Sequence, residues 1–262
     1  MSKLMPCIAL LLATTSPAYA KDVFTGTWKS DVNASVPSTK PSVVLLADGL
    51  YTCSTCVPVL KVAADGAFHP VVGSAYYDEM AVTVVDPAIV KRATRKGGKL
   101  VGETTATLSA DGNTMTTAFN DLTALNGIPV TGTGVSTRVT SGPAGSHASS
   151  GSWRQTSEGQ VSDSGLVFTL AQVGRVVTYS TPTGISYVAT TGGPAVAVVG
   201  DPGWTTVSLK QSGLNTLHET DYFDGKIIGK YVMTVSADGK KMTMDANDIK
   251  YGRTSTLVAY KQ

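Results

Sequence analysis

The sequence predicts an all-β protein: two tandem antiparallel up-and-down β-barrels behind a signal peptide. Three observations point there. The chain repeats itself, its repeats are cut by Asp-Gly and Asn-Gly corners, and β-branched segments fill the intervals between corners. Hydrophobic residues are 42% and charged residues 15% of 262, enough apolar matter for a core in each repeat. The 27 Gly and 12 Pro favour many short elements over long helices.

The duplication is read directly. Residues 97–121, GGKLVGETTATLSADGNTMTTAFND, align without gaps with residues 224–248, DGKIIGKYVMTVSADGKKMTMDAND, giving 12 identities in 25 at an offset of 127. A second match, Gly26-Thr27-Trp28-Lys29 against Gly151-Ser152-Trp153-Arg154, lies at an offset of 125. Thr140 to Ser150 contains no large apolar residue and has linker composition. The expected division is a signal peptide at 1–20, a first barrel at 22–140, a linker at 141–149 and a second barrel at 150–262.

Corners stand at Asp48-Gly49, Asp65-Gly66, Asp111-Gly112, Asn126-Gly127, Asp224-Gly225 and Asp238-Gly239. Such pairs suit type I′ hairpins, whose two central residues both need positive φ. Between them the first half offers strands at 42–46, 80–86, 89–94, 100–109, 114–120 and 129–139. The stretch 87–97 has the composition of a basic helix, but Ile89-Val90 and Ala93-Thr94 fit a strand. The second half offers strands at 166–170, 175–180, 185–190, 204–210, 215–222, 227–236, 241–247 and 254–260. A sandwich would also hold so many short strands, but hairpins between sequential neighbours favour a meander that closes into a barrel.

At the N-terminus, Lys3, the apolar run 4–13 and Ala18-Tyr19-Ala20 read as an export signal cleaved before Lys21. No later run is long enough to span a bilayer, so the mature chain is expected to be periplasmic or secreted, with no integral membrane segment. Cys53 and Cys56 then meet an oxidising compartment and are expected to form a local disulfide. The competing uses of C-x-x-C are redox chemistry, which calls for a helix N-terminus, and zinc, which calls for two further ligands. The segment follows a turn and precedes Val57-Pro58, and His69, His147 and His218 are scattered.

A Gly-x-Trp opening the first strand of a small β domain resembles the calycin superfamily: lipocalins, fatty-acid-binding proteins and avidins. Both halves carry it, at Gly26-Thr27-Trp28 and Gly151-Ser152-Trp153. In those families the Trp closes one barrel end beneath a basic side chain from the last strand. The resemblance thus implies plugs built from Trp28 with Arg138 in the first barrel and Trp153 with Lys261 in the second. With the Ser-x-Asp-Gly-x-x-Met-Thr hairpin, the opening is also similar to exported bacterial proteins described as lipocalin-like. The second lipocalin motif has no counterpart: Thr220-Asp221-Tyr222 has its letters but lies mid-domain in one half.

No nucleophile elbow, zinc-protease helix or phosphate loop occurs, so no catalytic residue, metal site or cofactor is assigned, and an enzyme is the least favoured class. Formal net charge is +2 and gives no footprint for nucleic acid. Glu219 and Asp221 point to one side of a strand and are read as a solvated face. The resemblance implies a binding module for a small apolar or amphipathic ligand. The alternative is a structural or interaction module with solid barrels, and a barrel-based enzyme comes third.

Overall fold

The computed structural model describes residues 22–262, and the expected signal peptide lies outside them. In chain order the strands are β1 (Gly26–Ser30), β2 (Ser42–Ala47), β3 (Leu50–Cys53), β4 (Leu60–Ala63), β5 (Asp65–Pro70), β6 (Glu79–Asp86), β7 (Ile89–Lys96), β8 (Lys99–Leu108), β9 (Thr114–Asp121), β10 (Val130–Ser141) and β11 (Gly151–Val161). After one helical turn, α1 (Asp163–Leu166), come β12 (Val167–Val173), β13 (Val176–Ser180), β14 (Ser186–Thr190), β15 (Val196–Ala197), β16 (Thr206–Ser212), β17 (Thr216–Phe223), β18 (Lys226–Val235), β19 (Lys241–Asp248) and β20 (Arg253–Lys261). Among the described residues no helix is long and apolar enough to cross a membrane.

The strands form two ten-stranded antiparallel sheets, each curled into a nearly closed barrel. One runs β4-β3-β2-β11-β10-β9-β8-β7-β6-β5 and the other β14-β13-β12-β1-β20-β19-β18-β17-β16-β15. The edges of each sheet meet: β4 lies against β5 and β6, and Ser186, the first residue of β14, bridges Val199 beyond β15. Sequential neighbours pair along most of each sheet, as a meander requires, except at β1, which pairs with β12 and β20, and at β2, which pairs with β11.

The barrels do not follow the expected division of the chain. The opening strand of each half sits in the other half's sheet: β1 lies between β12 and β20, and β11 lies between β10 and β2. Residues 31–41 and 162–166 make the two crossings. The supposed linker is instead an ordered hairpin loop between β10 and β11. His147 N–H donates to the Leu46 carbonyl, Gly142 N–H to Ser150, and Ser150 N–H back to His147. Its last two residues pack inward: Ser149 is buried, and Ser150 is 1% exposed and in hydrogen bonds to both backbone groups of Leu46. Gly142 marks close packing, not freedom: a Cβ there would stand 2.4 Å from Ser150.

The exchange makes the first barrel contiguous, from residue 42 to 161. A fragment spanning 42–161 is expected to melt cooperatively with a β-type circular dichroism spectrum, at a higher temperature than a fragment spanning 22–140. The latter lacks the 11 residues of β11 and can replace them only with the five of β1. A 22–140 fragment that outlasts 42–161 on heating sinks this assignment of strands.

The corners divide by type. Asp48-Gly49 and Asp224-Gly225 have positive φ at both residues, as do Gly97-Gly98 between β7 and β8. At 111–112 and 238–239 only the glycine is positive, and the loops close through Ser109 N–H to Thr114 and Ser236 N–H to Lys241. Asp65-Gly66 makes no corner but a bulge at the start of β5.

The two interiors differ. In the second barrel Leu170, Val177, Val207, Leu209, Leu217, Met233, Val235 and Met242 form one buried cluster. In the first the cluster is smaller, built on Leu46, Tyr51, Leu60, Val62, Met80, Val82 and Val90. The repeat explains the difference. At the 127-residue offset, Thr104, Ala106 and Thr117 of the first barrel stand where Tyr231, Met233 and Met244 stand in the second. Small side chains leave space in one barrel, and large ones fill the other.

Candidate functional site

Each sheet carries a buried Trp beneath a basic side chain, and the pairs follow the exchanged strands. Arg138 lies over the Trp153 ring at 4.1 Å, and Lys261 over the Trp28 ring at 4.8 Å. The expected partnership of Trp28 with Arg138, and of Trp153 with Lys261, is therefore crossed. The cause is the sheet order, in which Trp153 is registered opposite Arg138 and Trp28 opposite Lys261. Trp28 is 0% and Trp153 2% exposed.

The two plugs are copies. Trp28 Nε1 donates to the Phe24 carbonyl and Trp153 Nε1 to the Ser149 carbonyl, each four residues upstream. Lys261 Nζ donates to the carbonyls of Val23 and Thr25; Arg138 donates to those of Ala148 and Ser150, and also to Gly112. Both opening glycines have positive φ, 147° at Gly26 and 131° at Gly151. A Cβ on Gly151 would stand 2.2 Å from the Thr140 carbonyl oxygen, which only glycine avoids.

The disulfide joins Cys53 to Cys56 across Cα atoms 5.4 Å apart, in the connection from β3 to β4. Cys53 is buried in the first barrel's core with Cys56 against it. The bond ties a loop where no helix begins.

The first barrel holds a cavity of about 420 Å3. Its walls include Tyr77, Met80, Phe119 and Val130, and its rim is completed by Ile185 and Pro202 from the second barrel. Inside stands Arg92, from β7. The strand alternates, so Val90 enters the core and Arg92 shares its face. Arg92 Nε donates to Thr104 Oγ1 at 3.1 Å and Nη1 to the Tyr51 hydroxyl at 2.9 Å. Both partners are neutral, and among the described residues no carboxylate forms an ion pair with it. Nearby, Asn120 Oδ1 is buried without a hydrogen-bond partner.

The equivalent position in the second barrel is Glu219. The register is the same to the residue: Val82 and Thr104 flank Arg92 as Leu209 and Tyr231 flank Glu219. A buried acid thus replaces a half-buried base, and each is held by an inward tyrosine. The Tyr187 hydroxyl donates to Glu219 Oε2 at 2.5 Å. Asp221, two residues on, shares the face.

This overturns the reading of Glu219 and Asp221 as a solvated pair: they are 9% and 6% exposed. Leu217, fully buried, shares their alternation and fixes their direction as inward. Tyr179, Tyr187 and Trp204 pack against one another beside them, Tyr179 stacked on Tyr187 with ring centroids 5.1 Å apart. Burial raises both carboxyl pKa values, and for Asp221 the neighbouring Glu219 raises it further. Two carboxyls this close in an apolar interior keep protons that solvated ones release.

Among the described residues no group of His, Cys, Asp and Glu is arranged to hold a metal ion. No protein-family model matches the chain, and no curated protein is similar to it. The nearly closed meander barrels are compatible with a calycin-like fold.

Proposed function

We propose that the protein is an exported, lipocalin-like binding protein whose first barrel takes an amphipathic small molecule bearing an anionic head. The observation that carries this is Arg92: a cation in the cavity whose two hydrogen-bond partners are neutral, and with which, among the described residues, none of the carboxylates on the same lining, Glu103, Asp121 and Asp201, forms an ion pair. A half-buried guanidinium with no carboxylate in contact keeps donors free for one, and a ligand carboxylate or sulfonate would supply it. The apolar tail would lie along Met80, Phe119 and Val130. The disulfide supports an oxidising location outside the cytoplasm. The filled interior of the second barrel supports a scaffold role for that half, not a second cavity of the same kind.

The test uses two dyes of like body, anilinonaphthalene sulfonate and uncharged N-phenyl-naphthylamine. Both are expected to gain fluorescence on the protein. Arg92→Gln is expected to weaken the sulfonate by about tenfold or more and leave the uncharged dye nearly unchanged, since a charge-assisted hydrogen bond contributes about 1.5–3 kcal/mol. Equal loss of both dyes, or of neither, argues against an anion site at Arg92.

A further inference from the structure

The segment Gly200–Trp204 touches both barrels. On one side Gly200, Asp201 and Pro202 line the first barrel's cavity. On the other, Trp204 packs edge-on against Tyr179 and Tyr187, over the buried carboxyls. Asp201 Oδ1 pins the segment: it accepts from the Gly203 and Trp204 N–H groups at 2.8 and 3.0 Å, and from the Tyr76 hydroxyl of the first barrel at 3.0 Å. The packing is close, and a Cβ on Gly203 would meet the Tyr76 ring at 2.4 Å. Two polar atoms at the junction are buried without a hydrogen-bond partner, Trp204 Nε1 and Asp221 Oδ1.

We propose that Glu219 and Asp221 form a proton-binding site whose occupancy sets the affinity of the first barrel's cavity, through the segment Gly200–Trp204. The inference rests on the ligand reading of that cavity. With its protons the pair is neutral, Trp204 stays docked, and Asp201 and Pro202 complete the cavity wall. Loss of protons to solvent places like charges in an apolar interior. The groups facing the pair are Tyr179 from β13, Tyr187 from β14, Tyr231 from β18, and Asp201 and Trp204 from the segment itself. β16 presents Val207 and Leu209. None is a cation: the Tyr187 hydrogen bond and the Trp204 N–H ease the new charge only in part, Asp201 adds to it, and the movable neighbour is the segment carrying Asp201 and Trp204. Its release withdraws one wall of the cavity.

The test uses the full chain and anilinonaphthalene sulfonate, whose charge is constant over the range. Affinity is expected to fall about tenfold from about pH 6 to about pH 9 in the wild type, and to stay level in Asp221→Asn and Glu219→Gln. Hydrogen exchange reads the coupling without a ligand. At about pH 9, residues 198–206 and 74–77 are expected to exchange faster in the wild type than in Asp221→Asn at the same pH. Equal exchange in the two proteins overturns the proton coupling, whatever the dye does. A dye that binds at no pH, with the exchange difference present, overturns the ligand reading and the affinity claim but leaves the moving segment standing. Wild-type affinity that is level with pH, with the dye bound, overturns the proposal alone.

Discussion

Trp153→Ala and Trp28→Ala are each expected to remove about 3–5 kcal/mol of stability, the range for truncating a large aromatic in a core. Both indoles are fully enclosed, and each loses its Nε1 bond to a buried carbonyl as well. Arg138→Ala is expected to cost less, about 1.5–3 kcal/mol, because its three carbonyl partners lie where water can reach some of them. The order Trp above cation should hold in both barrels, measured by urea unfolding or thermal melts.

The pairing itself is tested by double-mutant cycles. A cation over an indole contributes about 0.5–2 kcal/mol, so Trp153 with Arg138, and Trp28 with Lys261, should show coupling of that size. Trp28 with Arg138 should show none, because the two belong to different sheets. Coupling between Trp28 and Arg138 would return β1 to the first barrel and undo the strand exchange. If both Trp→Ala variants melt within a degree or two of the wild type, the plug role is wrong altogether.

Much of this architecture was legible in the sequence, and the reasons it stopped being so are physical. Asp48-Gly49 and the strands from 80 to 139 could be read because corner chemistry and alternation are local. β3, β4 and β15 could not, because they have two to four residues and little room for a pattern. The exchange of opening strands was hidden for a deeper reason. β1 and β11 carry the same Gly-x-Trp device, so each fits either sheet, and only the pairing partners tell them apart. The family resemblance singled out both buried Trp residues and both cations, but it crossed their partners for the same reason. Arg92 was missed and Glu219 was read as solvated because the two differ in sign, and a search for repeated polar residues passes over a position kept polar but not identical. The signal that could have found Glu219 was there. Leu217 lies two residues before it on the same face, and an apolar residue in that alternation marks the face as inward.

Lowering the pH from about 8 to about 5 is expected to stabilise the protein, the reverse of what salt-bridged carboxylates give. Burial holds Glu219 up to about 7 and Asp221 up to about 9, the second helped by the charge of the first. Unfolded, both would titrate near the ordinary carboxyl range of about 4. Between those limits the folded chain binds more protons than the unfolded one, so stability falls as pH rises. Below about pH 4 both states are protonated and the full stability is present. The slope approaches about 1.4 kcal/mol per pH unit for each proton retained, or roughly 2–4 °C per kcal/mol in a chain of this size. Since the two titrate as a pair, the measured loss should spread over the window from about pH 4 to about pH 9 without two separate steps. Asp221→Asn cannot ionise and removes the partner charge that burdens Glu219. Its melting temperature should change far less across this window and should exceed the wild type's at about pH 8. At about pH 5 the ranking reverses or closes, because the wild-type acid is then already neutral and native. Melts recorded from about pH 4 to about pH 9 decide it: a wild-type melting temperature that rises through the window, with Asp221→Asn rising in parallel, means that this pair is ionised in the folded protein.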